Sequence, residues 1–198
     1  MPTGVAIRDV RQQLFDAAER ILLRDGPSAL TSRAVTTEAG CAKGVLHRHF
    51  DDFDGFLAEF VVDRAHRMDA QAAALREAAG TGTVVDNLTS ALTALFTSVA
   101  VAVVPLVIFR DELRARLRRT WPAGVPVLTE AAEMVAAYLA AERDLGRLAA
   151  DAEVDGLAPM LIGTVHLLFA DRTGTRPDAE AVRRAVTTVV TGVLREPR

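Results

Sequence analysis

Residues 42–50 combine side-chain types that bind nucleic acid on one side of a helix. When the segment is drawn at 3.6 residues per turn, an arc of about 140 degrees collects cationic and hydrogen-bonding groups and one glycine. These residues are Lys43, Gly44, His47 and Arg48. The other side carries Ala42, Val45, Leu46 and Phe50. Such a face suits a DNA major groove, and Lys43 and Arg48 are the main candidates for base or phosphate contact.

A metal site is the competing interpretation of the same segment. His47 and His49 stand beside Asp51 and Asp52, and these residue types can bind metal ions. Residues two apart on a helix point about 160 degrees away from each other, so the two imidazoles cannot chelate one ion. Nor does the sequence contain a Gly-rich phosphate loop, a Ser-His-Asp order with a nucleophile turn, or a Cys-x-x-Cys pair. We therefore expect no enzyme activity, no cofactor and no metal.

The elements that position this face are two short helices joined by a tight turn. Thr31 can act as the N-cap of the first helix, and Gly40 permits the left-handed backbone of a sharp helix exit. The second helix is predicted to begin near Ala42 and to end near Phe50. This layout is typical of a DNA-reading helix-turn-helix.

At this point the sequence resembles the TetR family of transcriptional regulators. Its pattern, T-x3-I-A-x2-A-G-V-S-x-G-x-L-Y-x-H-F, is matched in spacing at Thr31, Val35, Ala39-Gly40, Gly44, Leu46, His49-Phe50 and, further on, Leu57. The match covers about the first 60 residues. The resemblance implies that Gly44 lets backbone approach DNA, and that other residues position phosphates or contact DNA: Thr31, Ser32, Arg33, His47 and His49.

Three departures from the family pattern concern the expected DNA side. His47 replaces the Tyr that contacts phosphate in the family, and Thr36 replaces a small Ala. Phe53 stands where the family has a Lys, within Asp51-Asp52-Phe53-Asp54. The three carboxylates could repel the phosphate backbone and weaken sequence-independent affinity. Alternatively, Asp51 or Asp52 could cap the next helix.

Charge and length fit a DNA-binding head on a larger body. Residues 1–50 contain seven Lys or Arg and five Asp or Glu, whereas the remainder contains sixteen and twenty-one. The head is therefore mildly basic and the body acidic. We predict a helix-turn-helix domain at residues 1–52 and a ligand-binding and dimerisation domain at 53–198. The single Cys41 excludes an intrachain disulfide and fits a reducing, cytoplasmic location.

The fold class predicted is all-α, with a three-helix DNA-binding domain, a larger helical domain and about nine helices in total. Outside the helix-turn-helix, the apolar spacing predicts helices at 8–24, 53–79, 84–104, 106–119, 126–142, 153–170 and 178–195. Residues 87–109 carry no charge, but polar residues and Pro105 interrupt them. We interpret this stretch as a buried helix ended or kinked at Pro105, and not as a membrane span.

The last two predicted helices carry apolar residues near heptad spacing. These are Leu157, Leu161, Leu168, Val182, Val186, Val189 and Val193. A chain of this size can bury such faces internally. The family resemblance implies instead that the two helices form a four-helix bundle with a second copy, which would place two reading helices about one DNA turn apart, or a multiple of it.

A ligand pocket is the least defined prediction. Large or polar-tipped side chains on the central helices are candidates for its lining: Val99, Val103, Phe109, Trp121, Met134, Tyr138 and His166. Residues of these types at helical spacing are more often core than ligand contacts. The uncharged stretch favours an apolar or weakly polar effector.

Together, these patterns predict a ligand-responsive transcriptional regulator of the repressor type. It would bind a near-palindromic double-stranded operator as a homodimer and be released by a small molecule. The alternative is a helical sensor of the same fold with little or no DNA affinity, suggested by the carboxylates around Phe53.

Overall fold

The computed structural model describes residues 7–98, 100–122, 124–170 and 177–195. These contain eleven α-helices: α1 Ile7–Asp25, α2 Ser32–Glu38, α3 Val45–His49, α4 Phe53–His66, α5 Met68–Glu77, α6 Val84–Thr97, α7 Ala100–Ile108, α8 Asp111–Leu117, α9 Leu128–Asp144, α10 Val154–Ala170 and α11 Ala179–Val190. Short 3-10 turns span Pro27–Ala29 and Thr191–Val193. Apart from one isolated bridge between Leu148 and Leu194, the described residues have no β-structure. The predicted all-α class is confirmed.

The chain divides into two compact units. The first contains residues 1–64 and 102–126, and the second contains 65–101 and 127–198. Helix α4 therefore belongs almost entirely to the unit that holds the helix-turn-helix, together with α8. These units are defined by packing, so the functional boundary expected between residues 52 and 53 stays a prediction.

Two predicted helices are interrupted. The helix expected over 53–79 is two helices, α4 and α5, separated at Arg67. No Gly or Pro lies near this break, so apolar periodicity runs through it unchanged. Pro105, expected to end or kink the buried helix, lies inside α7, while α6 ends at Thr97 because Ser98 is extended. These interruptions raise the number of helices from about nine to eleven.

An aromatic cluster forms the core of the first unit. The Phe15 ring on α1 lies 5.8 Å from Phe50, 5.6 Å from Phe56 and 5.9 Å from Phe60, measured between ring centroids. Phe56 and Phe60 are fully buried on α4. Because Phe50 follows α3 directly, the cluster ties the end of α3 to α1 and α4.

Arg64 is the buried cation of the first unit. Its side chain is 3% exposed, and its guanidinium lies 3.2 Å from Asp16, 2.8 Å from Glu19 and 2.6 Å from Asp63. The same group stacks 4.9 Å from the centroid of the Phe60 ring. Arg64 therefore joins α4 to α1 by charge as well as by packing.

Glu142 is the buried carboxylate of the second unit. It is 0% exposed on α9, accepts the Gly80 N–H at 3.3 Å, and lies 3.3 Å from Arg147 Nε. Tyr138, one turn earlier, accepts a hydrogen bond from the Asn87 amide at 3.0 Å. Burial and the adjacent Glu142 raise the pKa of Tyr138 well above its ordinary value, so the hydroxyl stays protonated. The network connects the α5–α6 turn to α9.

Within the described ranges, no single helix is both long and apolar enough to cross a membrane.

Candidate nucleic-acid interface

The first helix of the predicted helix-turn-helix is capped as its sequence indicates. Thr31 Oγ1 accepts the Ala34 N–H at 3.1 Å and begins α2. Gly40 has a φ of 65°, and its N–H donates to the Thr37 carbonyl at 3.0 Å. The Cys41 N–H donates to the Thr36 carbonyl at 2.9 Å and closes the same turn. Only a residue tolerant of positive φ makes this turn without strain, which is why glycine occupies it.

Helix α3 is shorter than predicted. It begins at Val45 and not near Ala42, because residues 42–44 form a turn. In this turn the Val45 N–H donates to the Ala42 carbonyl at 2.9 Å. With five residues it is little more than one turn. A segment this short depends on tertiary packing for its stability, and apolar periodicity cannot locate its first residue.

The polar face predicted for residues 42–50 is on the surface. Lys43, Gly44, His47 and Arg48 are all exposed. A Cβ built on Gly44 would meet no atom within 4 Å, so this backbone is open to a partner. On the other side Leu46 and Phe50 are buried, but Ala42, predicted to pack inward, is exposed because it precedes the helix.

Helix α1 holds the turn and the end of α3 in place. Gln13 Nε2 donates to the Ala39 carbonyl at 2.8 Å, and Arg11 Nη1 donates to the His49 carbonyl at 2.8 Å. The Arg11 guanidinium also stacks 4.3 Å from the centroid of the Phe50 ring and pairs with Glu59 on α4. Sequence reasoning missed this role, because an arginine on a polar helix face gives no signal of its distant partners.

Cations in this region fall into two groups. Arg11, Arg20, Arg24 and Arg64 each form an ion pair with a carboxylate of the same unit. The other cations between residues 10 and 64 make no ion pair within the described structure: Arg33, Lys43 and Arg48. All three are exposed on α2, α3 or the turn that joins them. Within residues 10–64, the arginine and lysine charges without a carboxylate partner therefore all lie on the helix-turn-helix.

The other predicted contacts surround this face. Thr31 and His47 are exposed, whereas Ser32 and His49 are half-buried. Thr36, a departure from the family pattern, is buried, and its hydroxyl donates to the Ser32 and Arg33 carbonyls at 3.0 and 3.1 Å. The extra hydroxyl is thus satisfied within α2.

The carboxylates around Phe53 have defined positions. Asp52 accepts the Gly55 N–H at 2.7 Å, so this residue caps the start of α4, as one interpretation of the sequence expected. It also pairs with Arg116 at 2.6 Å, and Asp54 pairs with Arg110 at 2.8 Å. These arginines lie more than fifty residues later in the chain, and no local pattern indicated them.

The predicted ligand residues are divided between the two units. Val103, Phe109 and Trp121 belong to the first unit, whereas Met134, Tyr138 and His166 belong to the second. Val103, Met134 and Tyr138 are buried, Trp121 and His166 are half-buried, and Phe109 is 85% exposed. Val99 lies outside the described residues. Among those described, no group of three or more His, Cys, Asp or Glu is placed to hold a metal ion.

Part of the predicted dimer face packs inside this chain. Leu161, Val182 and Val186 are 0% exposed, so they have no surface left for a second copy. Leu157, Leu168, Val189 and Val193 are half-buried. The heptad pattern did not separate the inner side of α10 from its outer side, where Met160 is 58% and Leu167 is 74% exposed.

Comparison with known proteins identifies the helix-turn-helix. Residues 14–60 match the family described as bacterial regulatory proteins, tetR family. No curated relative matches the chain.

Several solved structures have a similar fold over nearly their full length. A TetR-family transcriptional regulator from Rhodococcus sp. is 17% identical with a TM-score of 0.70, and the alignment covers 96% of this chain and 100% of that one. FadR from Bacillus subtilis, in complex with stearoyl-CoA, is 15% identical with a TM-score of 0.67 over 91% and 98%. A transcriptional regulator from Saccharomonospora viridis, in complex with choline, is 14% identical with a TM-score of 0.69 over 96% and 100%. The resemblance seen in the sequence is confirmed: residues 14–60 match the tetR family of bacterial regulatory proteins, and the chain as a whole shares the fold of these solved TetR-family structures.

Proposed function

We propose that this protein is a cytoplasmic transcriptional repressor that binds a near-palindromic operator as a homodimer and is released by a small molecule. The observation that carries the DNA-binding part is the exposed, unpaired charge of Arg33, Lys43 and Arg48 on the helix-turn-helix. Elsewhere in residues 10–64 every arginine has a carboxylate partner. Free cations beside an open backbone at Gly44 suit phosphates and base edges.

Selection of bound duplexes from a random DNA pool, at near-physiological salt, tests this proposal. Enrichment of a palindrome would support a dimeric regulator, since operator symmetry mirrors protein symmetry. Absence of any enriched sequence, from a folded and dimeric protein, would instead favour the DNA-silent sensor. That alternative rests on Asp51, an exposed carboxylate two residues beyond α3.

Replacing Lys43 and Arg48 together with alanine is expected to lower affinity for the enriched duplex by at least about a hundredfold, since two cations are lost from each of two heads. The slope of log affinity against log salt should become shallower. The matched control removes Arg24, which pairs with Asp25 and Glu38, and should bind within about threefold of the unchanged protein. Fluorescence anisotropy at several salt concentrations measures the affinity and its salt dependence for each variant. Equal affinity of the double variant and the control would remove α3 from the interface.

The dimer is proposed to form through the outer side of α10. Residues at spacings of four and three make one exposed stripe there: Gly156, Met160, Gly163, Leu167 and Ala170. From Gly156 to Ala170 the helix contains no Asp, Glu, Lys or Arg. An uncharged stripe with a seven-residue repeat and two glycines permits close packing of helices, and a second copy supplies the same stripe.

Leu167→Arg is expected to convert the dimer to a monomer, because it places a charge within the uncharged stripe. Leu145→Arg is the control, since Leu145 is also exposed, at 58%, but lies beyond the end of α9. Sedimentation velocity over a range of concentrations distinguishes the two species. A Leu167 variant that sediments like the control would exclude the stripe as the interface.

For the effector we propose a site beside His166, between α6 and α10. The His166 ring packs 5.9 Å from the Phe96 ring, and its Nδ1 is buried without a hydrogen-bond partner in the described residues. Burial lowers the pKa of His166, so the imidazole is neutral near pH 7. The buried hydroxyl of Thr89 on α6 is likewise unpartnered. Such groups favour a mostly apolar molecule with a polar end.

Two structural neighbours support a ligand role for this protein by analogy, since one is in complex with stearoyl-CoA and the other with choline. Tyr138 is a weaker candidate than His166, because its hydroxyl already bonds Asn87. Competition between candidate compounds and the enriched duplex tests the effector role. Compounds that displace DNA from the unchanged protein should fail to do so with His166→Leu.

A further inference from the structure

The acidic start of α4 lies next to the proposed DNA-reading helix. Asp52 follows His49, the last residue of α3, by three residues, which is at most about 11 Å of extended chain. This is close to one Debye length at ordinary salt, about 10 Å. A free carboxylate at Asp52 would therefore repel a phosphate held at the end of α3.

Two carboxylates at the start of α4, Asp52 and Asp54, are paired with arginines. Arg116 lies on α8, and Arg110 directly precedes this helix. Arg116 Nη2 donates to Asp52 Oδ2 at 2.6 Å, while Oδ1 of the same group accepts the Gly55 N–H at 2.7 Å. Arg110 donates to Asp54 Oδ1 through Nε at 3.0 Å and through Nη2 at 2.8 Å. The Gly55 N–H and Arg116 hold the pKa of Asp52 below its ordinary value. Asp52 is thus held in its ionised form, and each of the two carboxylates is paired with an arginine.

The surroundings fit these pairs closely. A Cβ at Gly55 would lie 3.0 Å from Arg116 Nη1 and 3.3 Å from Asp52 Oδ1, so any larger residue would press on the ion pair. Phe53, which replaces the family's Lys, lies under Arg110, with the guanidinium carbon 5.5 Å from the ring centroid. The residues at 53 and 55 therefore accommodate the two guanidinium groups.

We propose that Arg116 and Arg110 are positioning residues for DNA binding: without touching DNA, they neutralise Asp52 and Asp54 so that α4 does not repel the operator. This inference rests on the proposed function. It explains how a chain with aspartates on both sides of Phe53 retains a usable DNA face. The cation that the family carries at the start of this helix is replaced by two arginines from a distant segment.

A double-mutant cycle between Arg116 and Asp52 tests the proposal. Arg116→Gln is expected to lower affinity about tenfold, because one positive charge is lost from each DNA-binding domain. The loss should be the same for the enriched duplex and for a mixed-sequence duplex, since Arg116 contacts no base. Adding Asp52→Asn should restore affinity to within about twofold, because no carboxylate is left to repel phosphate. Asn can still accept the Gly55 N–H and cap α4. Asp52→Asn alone should raise affinity severalfold.

Arg114→Gln is the matched control, because Arg114 pairs with Asp111 on its own helix and neutralises no residue of α4. Its affinity should equal that of the unchanged protein. Arg116→Lys keeps the positive charge and should bind DNA like the unchanged protein. If Arg116→Gln does not fold, this variant still tests whether the charge at position 116 supports DNA binding.

Three results would count against the inference. An unchanged affinity of Arg116→Gln, or of Asp52→Asn, would show that the pair does not matter to DNA binding. A loss in Arg116→Gln that Asp52→Asn does not restore would show that Arg116 touches DNA itself. If the unchanged protein binds no duplex at all, the proposed function fails, and this inference fails with it.

Discussion

Arg64→Met is expected to lower the free energy of unfolding by about 2 to 3 kcal/mol, because it leaves three carboxylates without their shared cation. Asp16, Glu19 and Asp63 are 27 to 45% exposed, so water offsets part of the loss. Methionine retains apolar contact with the Phe60 ring. The effect is therefore mainly one of charge.

Urea denaturation followed by circular dichroism measures the Arg64 effect. Arg20→Met is the control, since Arg20 also pairs with a carboxylate but its side chain is 52% exposed. A surface pair of this kind should contribute less than about 1 kcal/mol. Similar losses in both variants would mean that the buried position of Arg64 adds nothing to the stability of the first unit.

Glu142→Ala is expected to cost about 3 kcal/mol in the second unit. The substitution leaves the Gly80 N–H without its acceptor and Arg147 without its carboxylate partner, and it opens a cavity beside Tyr138. Glu142→Gln keeps an acceptor and most of the volume, so it should cost less.

Glu133→Ala on the same helix is the control for helix propensity and charge, because Glu133 is exposed. Its effect should stay within about 0.5 kcal/mol. The same urea experiment compares the three variants. If Glu142→Ala is as stable as Glu133→Ala, the buried carboxylate does not hold the α5–α6 turn to α9.

Local sequence signals predicted the helix-turn-helix well. The Thr31 cap, the left-handed turn at Gly40 and the buried Leu46 follow from interactions within a few residues. The same signals failed at the start of α3, where a single turn of helix is too short for periodicity to define.

Long-range polar contacts could not be predicted in the same way. Asp54 and Arg110 are 56 residues apart, and Asp52 and Arg116 are 64 apart. No periodicity links such residues, so the sequence could not show that these carboxylates are paired with arginines. The predicted dimer face posed a related problem, because Leu161 and Leu167 are both apolar residues of one helix, yet only Leu167 is exposed.

The attachment of α3 separates the residues that hold this helix from those that could read DNA. Leu46 and Phe50 are buried, and Arg11 bonds the backbone of His49, not its side chain. Lys43, His47 and Arg48 form none of these attachments and face solvent. Substitutions at these three positions should therefore cost the domain little stability. Operator preference could diverge through them during evolution, or be redesigned, while one scaffold is kept.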